Sequence, residues 1–154
     1  MLGAPKADLV LMTSNVAQVF LDDSVWLSTL DAIHAALRPG GHLAFESRNP
    51  FAKAWESWNY ETTYQRIHSP FGPLATWLEV VKVGDGRVCF EGHNLFEETG
   101  EVLVAESELR FRSFEEITQS LNSTGFNVGH VYGNWVRGPF TSSSKDMVFV
   151  AQRS

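Results

Sequence analysis

The feature that most constrains this fold is an uninterrupted apolar segment that ends in small polar residues. Residues 8–12, DLVLM, run directly into Thr13, Ser14 and Asn15. An apolar run without alternation is typical of a strand covered on both faces, as in a parallel sheet. We therefore predict a strand over residues 8–13 whose carboxyl end delivers a binding edge.

A helix and a second strand follow this segment with short connections. Asp22 and Asp23 are good helix N-caps, and one apolar stripe at helical spacing comes next, formed by Trp26, Leu30, Ile33 and Leu37. Arg38-Pro39-Gly40-Gly41 must end the helix, and residues 42–47, HLAFES, have the character of a strand. Residues 1–50 are therefore predicted to form a parallel βαβ unit.

The pattern changes after residue 50. FAKAWESW, residues 51–58, is compatible with a short helix, and three strands are predicted over 74–83, 87–96 and 101–112. Gly84-Asp85-Gly86 is a strong hairpin signal between the first two strands. Residues 51–112 are thus predicted to be an insertion that carries a three-stranded antiparallel β-meander, with Arg112 on its wet face.

The last segment, residues 113–154, is predicted to hold a helix and a closing pair of antiparallel strands. Ser113 and Glu116 have the spacing of a capping box, and Phe114, Ile117 and Leu121 form the buried stripe of the helix that follows. The strands are predicted over 126–132 and 147–152, with a loop rich in glycine, proline and serine between them.

Composition limits the class of protein. A chain of 154 residues with 44 % hydrophobic residues is long and apolar enough for one globular domain. The net charge of −6 and the lack of a basic cluster argue against nucleic-acid binding. The single cysteine, Cys89, favours a reducing compartment. No segment resembles a membrane span or a signal peptide, so we expect a cytoplasmic protein without membrane contact.

Four segments in this order resemble a class I S-adenosylmethionine-dependent methyltransferase, and specifically the C-terminal half of that fold: ADLVLMTSNVAQVF, WLSTLDAIHAALRPGGHLAFESRNP, SFEEITQSLNSTGFNVGHVYGNW and DMVFVAQRS. The resemblance implies a partial Rossmann-like α/β sheet made of strands four to seven of the family's seven. The meander would then be an insertion on the substrate side.

The chain departs from the family pattern in one respect. The family binds its cofactor largely through a glycine-rich turn after the first strand, whereas the only G-x-G here is Gly84-Asp85-Gly86 in the predicted hairpin. We therefore expect a truncated methyltransferase fold, which binds S-adenosylmethionine poorly or not at all on its own. The strand over 8–13 would lack its usual neighbour, so we expect a homodimer formed at this exposed edge, or a separate polypeptide that supplies the missing half.

The resemblance implies that the cofactor cleft is lined by the residues after the first strand: Thr13, Ser14, Asn15, Val16 and Gln18. Local capping of the backbone by Ser14 and Asn15 is the alternative. Arg48 follows the second strand, where ligands lie in open α/β sheets, and could hold a substrate carboxylate. A salt bridge from Arg48 to Glu46 or Glu56 is equally compatible with the sequence.

Trp55, Trp58 and Tyr60 cluster within six residues and suit the wall of a small-molecule acceptor site, or else a lid that packs on the sheet. The five histidines show no metal-ligand spacing along the chain, so no metal is predicted. Cys89 has the surroundings of a core residue, and no catalytic residue is identified.

Three functions remain open from the sequence. The first is methyl transfer from S-adenosylmethionine to a small molecule, if the missing half completes the fold. The second is a non-catalytic binding or assembly module derived from a methyltransferase. The third is an unrelated small-ligand barrel built from the meander, for which little helix is expected.

Overall fold

The structure is a computed structural model of the chain, and it describes residues 6–154. It contains three α-helices, α1 (Asp23–Ala36), α2 (Tyr60–Thr63) and α3 (Phe114–Ser123), and eight strands: β1 (Ala7–Met12), β2 (Leu37–Arg48), β3 (Gln65–Ser69), β4 (Gly72–Gly84), β5 (Arg87–Phe96), β6 (Glu101–Arg110), β7 (Phe126–Tyr132) and β8 (Asp146–Arg153).

The described residues form two compact units. The first unit contains residues 6–52 and 111–154, and the second contains Lys53–Arg110. Each unit has its own four-stranded sheet, with the order β1-β2-β8-β7 in the first and β3-β4-β5-β6 in the second.

The sheet of the first unit begins with the predicted parallel pair. β1 and β2 run parallel, and β8 lies antiparallel to both β2 and β7. A parallel pair followed by an antiparallel pair confirms the predicted α/β architecture.

The helix between the two parallel strands ends slightly earlier than predicted. α1 ends at Ala36, and β2 already begins at Leu37, which pairs with Ala7 before the register shifts to Leu9 and His42. Residues 38–41 are accommodated at this irregularity, where Gly40 has a φ of 77°. Glycine takes this left-handed conformation without steric cost.

The core of the first unit lies on the face of the sheet that α1 and α3 cover. The predicted stripes of both helices contribute to it, with Trp26, Leu30 and Leu121 at 1 % exposure or less. In the sheet, Phe45 stacks on Phe149 with ring centroids 5.5 Å apart. Aromatic pairs of this kind supply large buried areas together with a preferred geometry.

The start of α3 is stabilised as the sequence predicts. The Ser113 side chain accepts a hydrogen bond from the Glu116 backbone N–H at 3.1 Å, and the Glu116 carboxylate accepts one from the Ser113 N–H at 2.7 Å. The prediction for Arg112 is wrong, because β6 ends at Arg110 and Arg112 is buried. Its guanidinium donates to Asp23 Oδ1 at 2.9 Å and lies over the Trp26 ring.

The second unit is an antiparallel sheet preceded by helical turns. Its sheet has four strands instead of the predicted three, because residues 65–69 pair with β4 as strand β3. The QRIHS sequence of β3 is mostly polar and exposed, so hydrophobic alternation could not reveal it. The Asp85-Gly86 hairpin is confirmed: both residues have positive φ, as a type I′ turn requires.

The predicted helix over residues 51–58 is divided into two short 3-10 turns, Pro50–Ala52 and Ala54–Ser57. Lys53 between them has a φ of 45°, which is incompatible with a continuing right-handed helix.

The third functional alternative, a small-ligand barrel built from the meander, is incompatible with the fold. The meander belongs to an open sheet with β3 and β6 at its opposite ends, and α1 and α3 are well-formed helices. Across residues 6–154, no helix has the length and apolar character needed to cross a membrane.

Candidate functional site

The carboxyl ends of β1 and β2 lie side by side in the first unit, since Met12 pairs with Phe45. Directly after Met12, Ser14 and Asn15 have φ values of 58° and 56°. Two consecutive non-glycine residues in the left-handed region are uncommon and persist where surrounding contacts hold them. The loop after β1 is therefore held in a specific shape at the sheet edge.

Glu46 is the residue that holds this loop. Its side chain comes from β2 and the residue is 7 % exposed. One carboxylate oxygen accepts a hydrogen bond from the Asn15 backbone N–H at 2.8 Å, and the other accepts one from the Trp135 indole N–H, also at 2.8 Å. Glu46 thus connects the loop after β1 to the loop after β7.

Gln18 and Arg48 form a second link across the same edge. The Arg48 guanidinium donates to Gln18 Oε1 at 2.9 Å, and Gln18 is 1 % exposed. Burial lowers the pKa of Arg48, while the nearby charges of Asp146 and Glu46 act in the opposite direction. Burial likewise raises the pKa of Asp146, and the charge of Arg48 counteracts this. The edge therefore holds one cation between two carboxylates in a partly desolvated setting.

Asn49 fixes the loop before β8. The residue is 1 % exposed, and its side-chain amide donates to the carbonyls of Ser142 and Ser144 at 3.2 and 2.8 Å. Its backbone N–H donates to the Lys145 carbonyl at 2.8 Å. The loop that precedes β8 is consequently anchored to the end of β2.

One buried polar atom at this edge has no partner among the described residues. Asn15 Oδ1 is shielded from solvent and accepts no hydrogen bond. Such an orphaned acceptor is costly and fits a site that receives a donor from outside the chain. The amide oxygen of Asn15 is therefore available as an acceptor for a hydroxyl or amino group.

The predicted aromatic residues lie together in the second unit. Trp55, Trp58 and Tyr60 line one open groove, together with Glu79 on β4. Trp58 packs on Phe90 at 4.9 Å, and Tyr60 contacts the edge of Trp77 at 5.4 Å between ring centroids. The structure thus assembles a partly exposed aromatic surface from these residues.

The cofactor-side residues named from the sequence have different environments. Asn15 and Gln18 join the network that contains Arg48, whereas Thr13, Ser14 and Val16 are exposed. Their role in ligand binding stays a prediction, as does that of the aromatic residues. Glu46 was missed as a site residue, although a carboxylate inside the apolar segment HLAFES is a signal for it. No comparable signal marks Trp135 or Asp146, which reach the network only through the fold.

No protein-family model matches the chain, and no curated protein matches it either. Solved structures do. The CcbJ methyltransferase from Streptomyces caelestis matches the whole chain with a TM-score of 0.79 at 18 % identity. The chain has part of the fold of the S-adenosylmethionine-dependent methyltransferases. The predicted resemblance to a part of this class I methyltransferase fold is therefore confirmed.

Two further methyltransferases show the same similarity. CalS10, an amino pentose methyltransferase from Micromonospora echinaspora, matches 100 % of this chain with a TM-score of 0.69 at 18 % identity. The sugar N-methyltransferase KedS8 from Streptoalloteichus sp. matches 99 % with a TM-score of 0.72 at 17 % identity. The chain covers 60 % of CcbJ, 61 % of CalS10 and 58 % of KedS8. It thus spans about three fifths of the methyltransferases that it resembles.

Proposed function

We propose that this chain forms part of an S-adenosylmethionine-dependent methyltransferase that acts on a small molecule. The observation that carries the proposal is the network at the ends of β1 and β2, where buried Glu46 holds the loop that contains Asn15. In open α/β sheets, ligands bind beyond the carboxyl ends of the strands. Matches to CcbJ, CalS10 and KedS8 support the same activity.

Asn15 is the residue best suited to hold the cofactor. Its orphaned amide oxygen offers a hydrogen-bond acceptor in a partly buried position, and Glu46 fixes its backbone. When bound, S-adenosylmethionine would supply an electrophilic methyl group. The contribution of the chain would be positional, since methyl transfer depends mainly on holding donor and acceptor in line.

The second unit is proposed to bind the acceptor. The groove of Trp55, Trp58 and Tyr60 offers aromatic faces, and Glu79 at its side offers a hydrogen-bond acceptor. A ring with hydroxyl or amino substituents suits such a surface. CalS10 and KedS8 are named for an amino pentose and a sugar nitrogen, so we propose an amino sugar as the acceptor class.

The same proposal extends to a partner at the edge of the first sheet. β1 is the terminal strand of this sheet, and Leu9 and Leu11 on it are 52 % and 55 % exposed. An apolar edge strand pairs readily with another strand. We propose that a second copy of the chain covers β1. The single cysteine favours a reducing compartment, and we propose the cytoplasm as the location of the protein.

A non-catalytic assembly module is the second candidate function. The exposed leucines of β1 favour it, because they suit association whether or not a cofactor binds. The two candidates differ in cofactor binding and therefore can be separated by one titration.

The test is a calorimetric titration of the purified chain with S-adenosylmethionine, with the molar mass measured on the same sample by light scattering. Binding of one ligand per chain at micromolar affinity, weakened by Asn15→Ala, would support the methyltransferase proposal and would contradict the expectation that the chain alone binds the cofactor poorly or not at all. The matched control Asn122→Ala, on the exposed side of α3, should bind as the unchanged chain does. A stable dimer that binds no cofactor would contradict methyl transfer by this chain alone and favour the assembly module.

The partner is tested with charged substitutions at exposed positions. Leu11→Lys should reduce the molar mass from dimer to monomer, and Val136→Lys, in a loop residue that is 86 % exposed, should leave it unchanged. Dissociation by Val104→Lys on β6, instead of Leu11→Lys, would contradict the β1 interface. A monomer at all concentrations would contradict the homodimer and favour a separate polypeptide as the partner.

A further inference from the structure

A cluster of metal-binding side chains lies on β4 and β5 in the second unit. The register places Glu79 opposite Glu91 and Trp77 opposite His93. Residues two apart on a strand share a face, so Glu91 and His93 project to the same side. His93 Nε2 lies 3.1 Å from Glu91 Oε2 and 3.5 Å from Glu79 Oε2.

These distances suit a shared ion. The three ligand atoms all lie within 4.8 Å of one another. Zinc binds imidazole nitrogen and carboxylate oxygen at about 2.0 to 2.2 Å, which in a tetrahedral site places neighbouring ligand atoms about 3.3 to 3.6 Å apart. The distance from His93 to Glu79 lies within this range, and the distance from His93 to Glu91 lies slightly below it. An ion could therefore enter with only small movements of the side chains.

The charges of the sheet also favour a cation. Glu91 has Glu79 opposite it on β4 and Glu106 opposite it on β6, so three carboxylates form a row across three strands. Like charges directly opposite each other destabilise a sheet. A bound divalent ion would convert the repulsion between Glu79 and Glu91 into attraction.

The imidazole is held in position for this role. The His93 ring stacks on Trp77 with centroids 5.0 Å apart and planes inclined by 9°. Its side chain is 14 % exposed, whereas those of Glu79 and Glu91 are 50 % and 32 % exposed. The ring is thus ordered by packing while the carboxylates remain open to solvent, which gives an ion a path of entry.

We propose that Glu79, Glu91 and His93 bind one divalent transition-metal ion of the zinc class. The imidazole favours zinc, cobalt or nickel, while magnesium and calcium prefer sites made of oxygen ligands alone. Three protein ligands leave a position for water or a small ligand. The site shares Glu79 with the proposed acceptor groove, but metal binding does not depend on the proposed methyltransferase function. The histidine spacing predicted no metal ligand, because the cluster arises across strands and not along one segment.

The test uses cobalt(II) as a spectroscopic probe on the full chain. The unchanged chain should bind one equivalent with visible d–d absorption, and zinc(II) should displace it, whereas magnesium(II) should not. His93→Gln and Glu91→Gln should each weaken binding by more than the roughly 10- to 100-fold typical of losing an outer-shell partner. His68→Gln, an exposed histidine on β3 in the same unit, is the matched control and should bind normally.

Cys89 provides a further control, because it lies on the same face of β5 as Glu91. Cys89→Ser should leave the spectrum unchanged, and thiolate-to-metal absorption that disappears in this variant would overturn the proposed ligand set. Absence of cobalt binding, or equal binding by His93→Gln, would also overturn it. Glu79→Gln, at a half-exposed position, should weaken binding as well, and equal affinity in this variant would contradict the role of Glu79.

Discussion

The two units place carboxylates in opposite settings. Glu46 in the first unit is buried, and each of its oxygens accepts a hydrogen bond from the chain itself. Glu79 and Glu91 in the second unit are partly exposed and face one another across two strands. A buried carboxylate needs internal partners and so shapes the scaffold. Exposed carboxylates that repel one another are better suited to a ligand from solution.

The same contrast extends to proton affinity. Burial raises the pKa of Asp146 in the first unit. In the second unit, hydrogen bonds from Arg66 at 2.6 and 2.7 Å lower the pKa of Glu97. Desolvation is the main cause of the shift at Asp146, and direct pairing is the main cause at Glu97.

The largest difference between the units should come from removing a core side chain. Phe149→Ala deletes the ring between Phe45 and Phe114 and should lower the free energy of unfolding by about 3 to 5 kcal/mol. Val102→Ala on the exposed face of β6 should change it by less than about 0.5 kcal/mol. Urea denaturation measures both, and equal losses would show that the contrast in burial does not govern stability.

A smaller difference in the free energy of unfolding is expected when the carboxylates of the two units are removed. Glu46→Ala leaves the Asn15 N–H and the Trp135 indole N–H without their acceptor and should cost about 1 to 3 kcal/mol. Glu79→Ala removes a repulsive charge and should change stability by less than about 0.5 kcal/mol. Urea denaturation in metal-free buffer separates the two variants. A loss of several kcal/mol in Glu79→Ala would contradict the contrast.

Helix capping offers a third comparison between the units. Ser113 caps the ten-residue helix α3, and Asn59 caps the four-residue helix α2 by accepting from the Thr62 N–H. Ser113→Ala should cost about 1 kcal/mol, and Asn59→Ala should cost less, because fewer contacts depend on α2. Thermal denaturation tests this order, and Ser113→Thr, which retains a hydroxyl, should recover most of the lost stability.

The smallest effect concerns pH. Because folding raises the pKa of Asp146 above 3.8, its stabilising effect is complete below pH 3.8 and is lost as pH rises through the raised pKa. Folding lowers the pKa of Glu97 below 4.5, so its contribution is present above pH 4.5 and is lost as pH falls through the lowered pKa. Both effects are expected to be small, because both carboxylates are partly exposed to solvent.

Unfolding measured between pH 3 and 6 should therefore give opposite trends. The free energy of unfolding of the unchanged chain minus that of Asp146→Asn should fall as the pH rises. The corresponding difference between the unchanged chain and Glu97→Gln should increase. High salt should diminish the Glu97 effect in particular, since the Arg66 pair is open to solvent. If both differences changed in the same direction with pH, the causes assigned to the two pKa shifts would be contradicted.

Much of the fold in both units could be predicted from local patterns. The apolar stripe of α1, the capping box of α3 and the Asp85-Gly86 turn are each encoded within a few residues, so their physical basis is visible in the sequence. Residues 65–69 could not be assigned to a strand from the sequence, because they lack the hydrophobic pattern that a strand usually shows. Only their pairing with β4 identifies them as a strand. Arg112 was misplaced for a similar reason, since its partner Asp23 lies far away along the chain.

The sequence by itself determined the order of strands and helices in the first unit and the resemblance to a partial methyltransferase fold, because helix periodicity, caps and turns act over short distances. Only the tertiary structure decided which polar residues meet. Glu46 contacts Asn15 and Trp135, and His93 approaches Glu79, through pairing between distant segments. Strand register determines which of these side chains come into contact. Register depends on how the faces of the whole sheet are buried, which no single segment specifies.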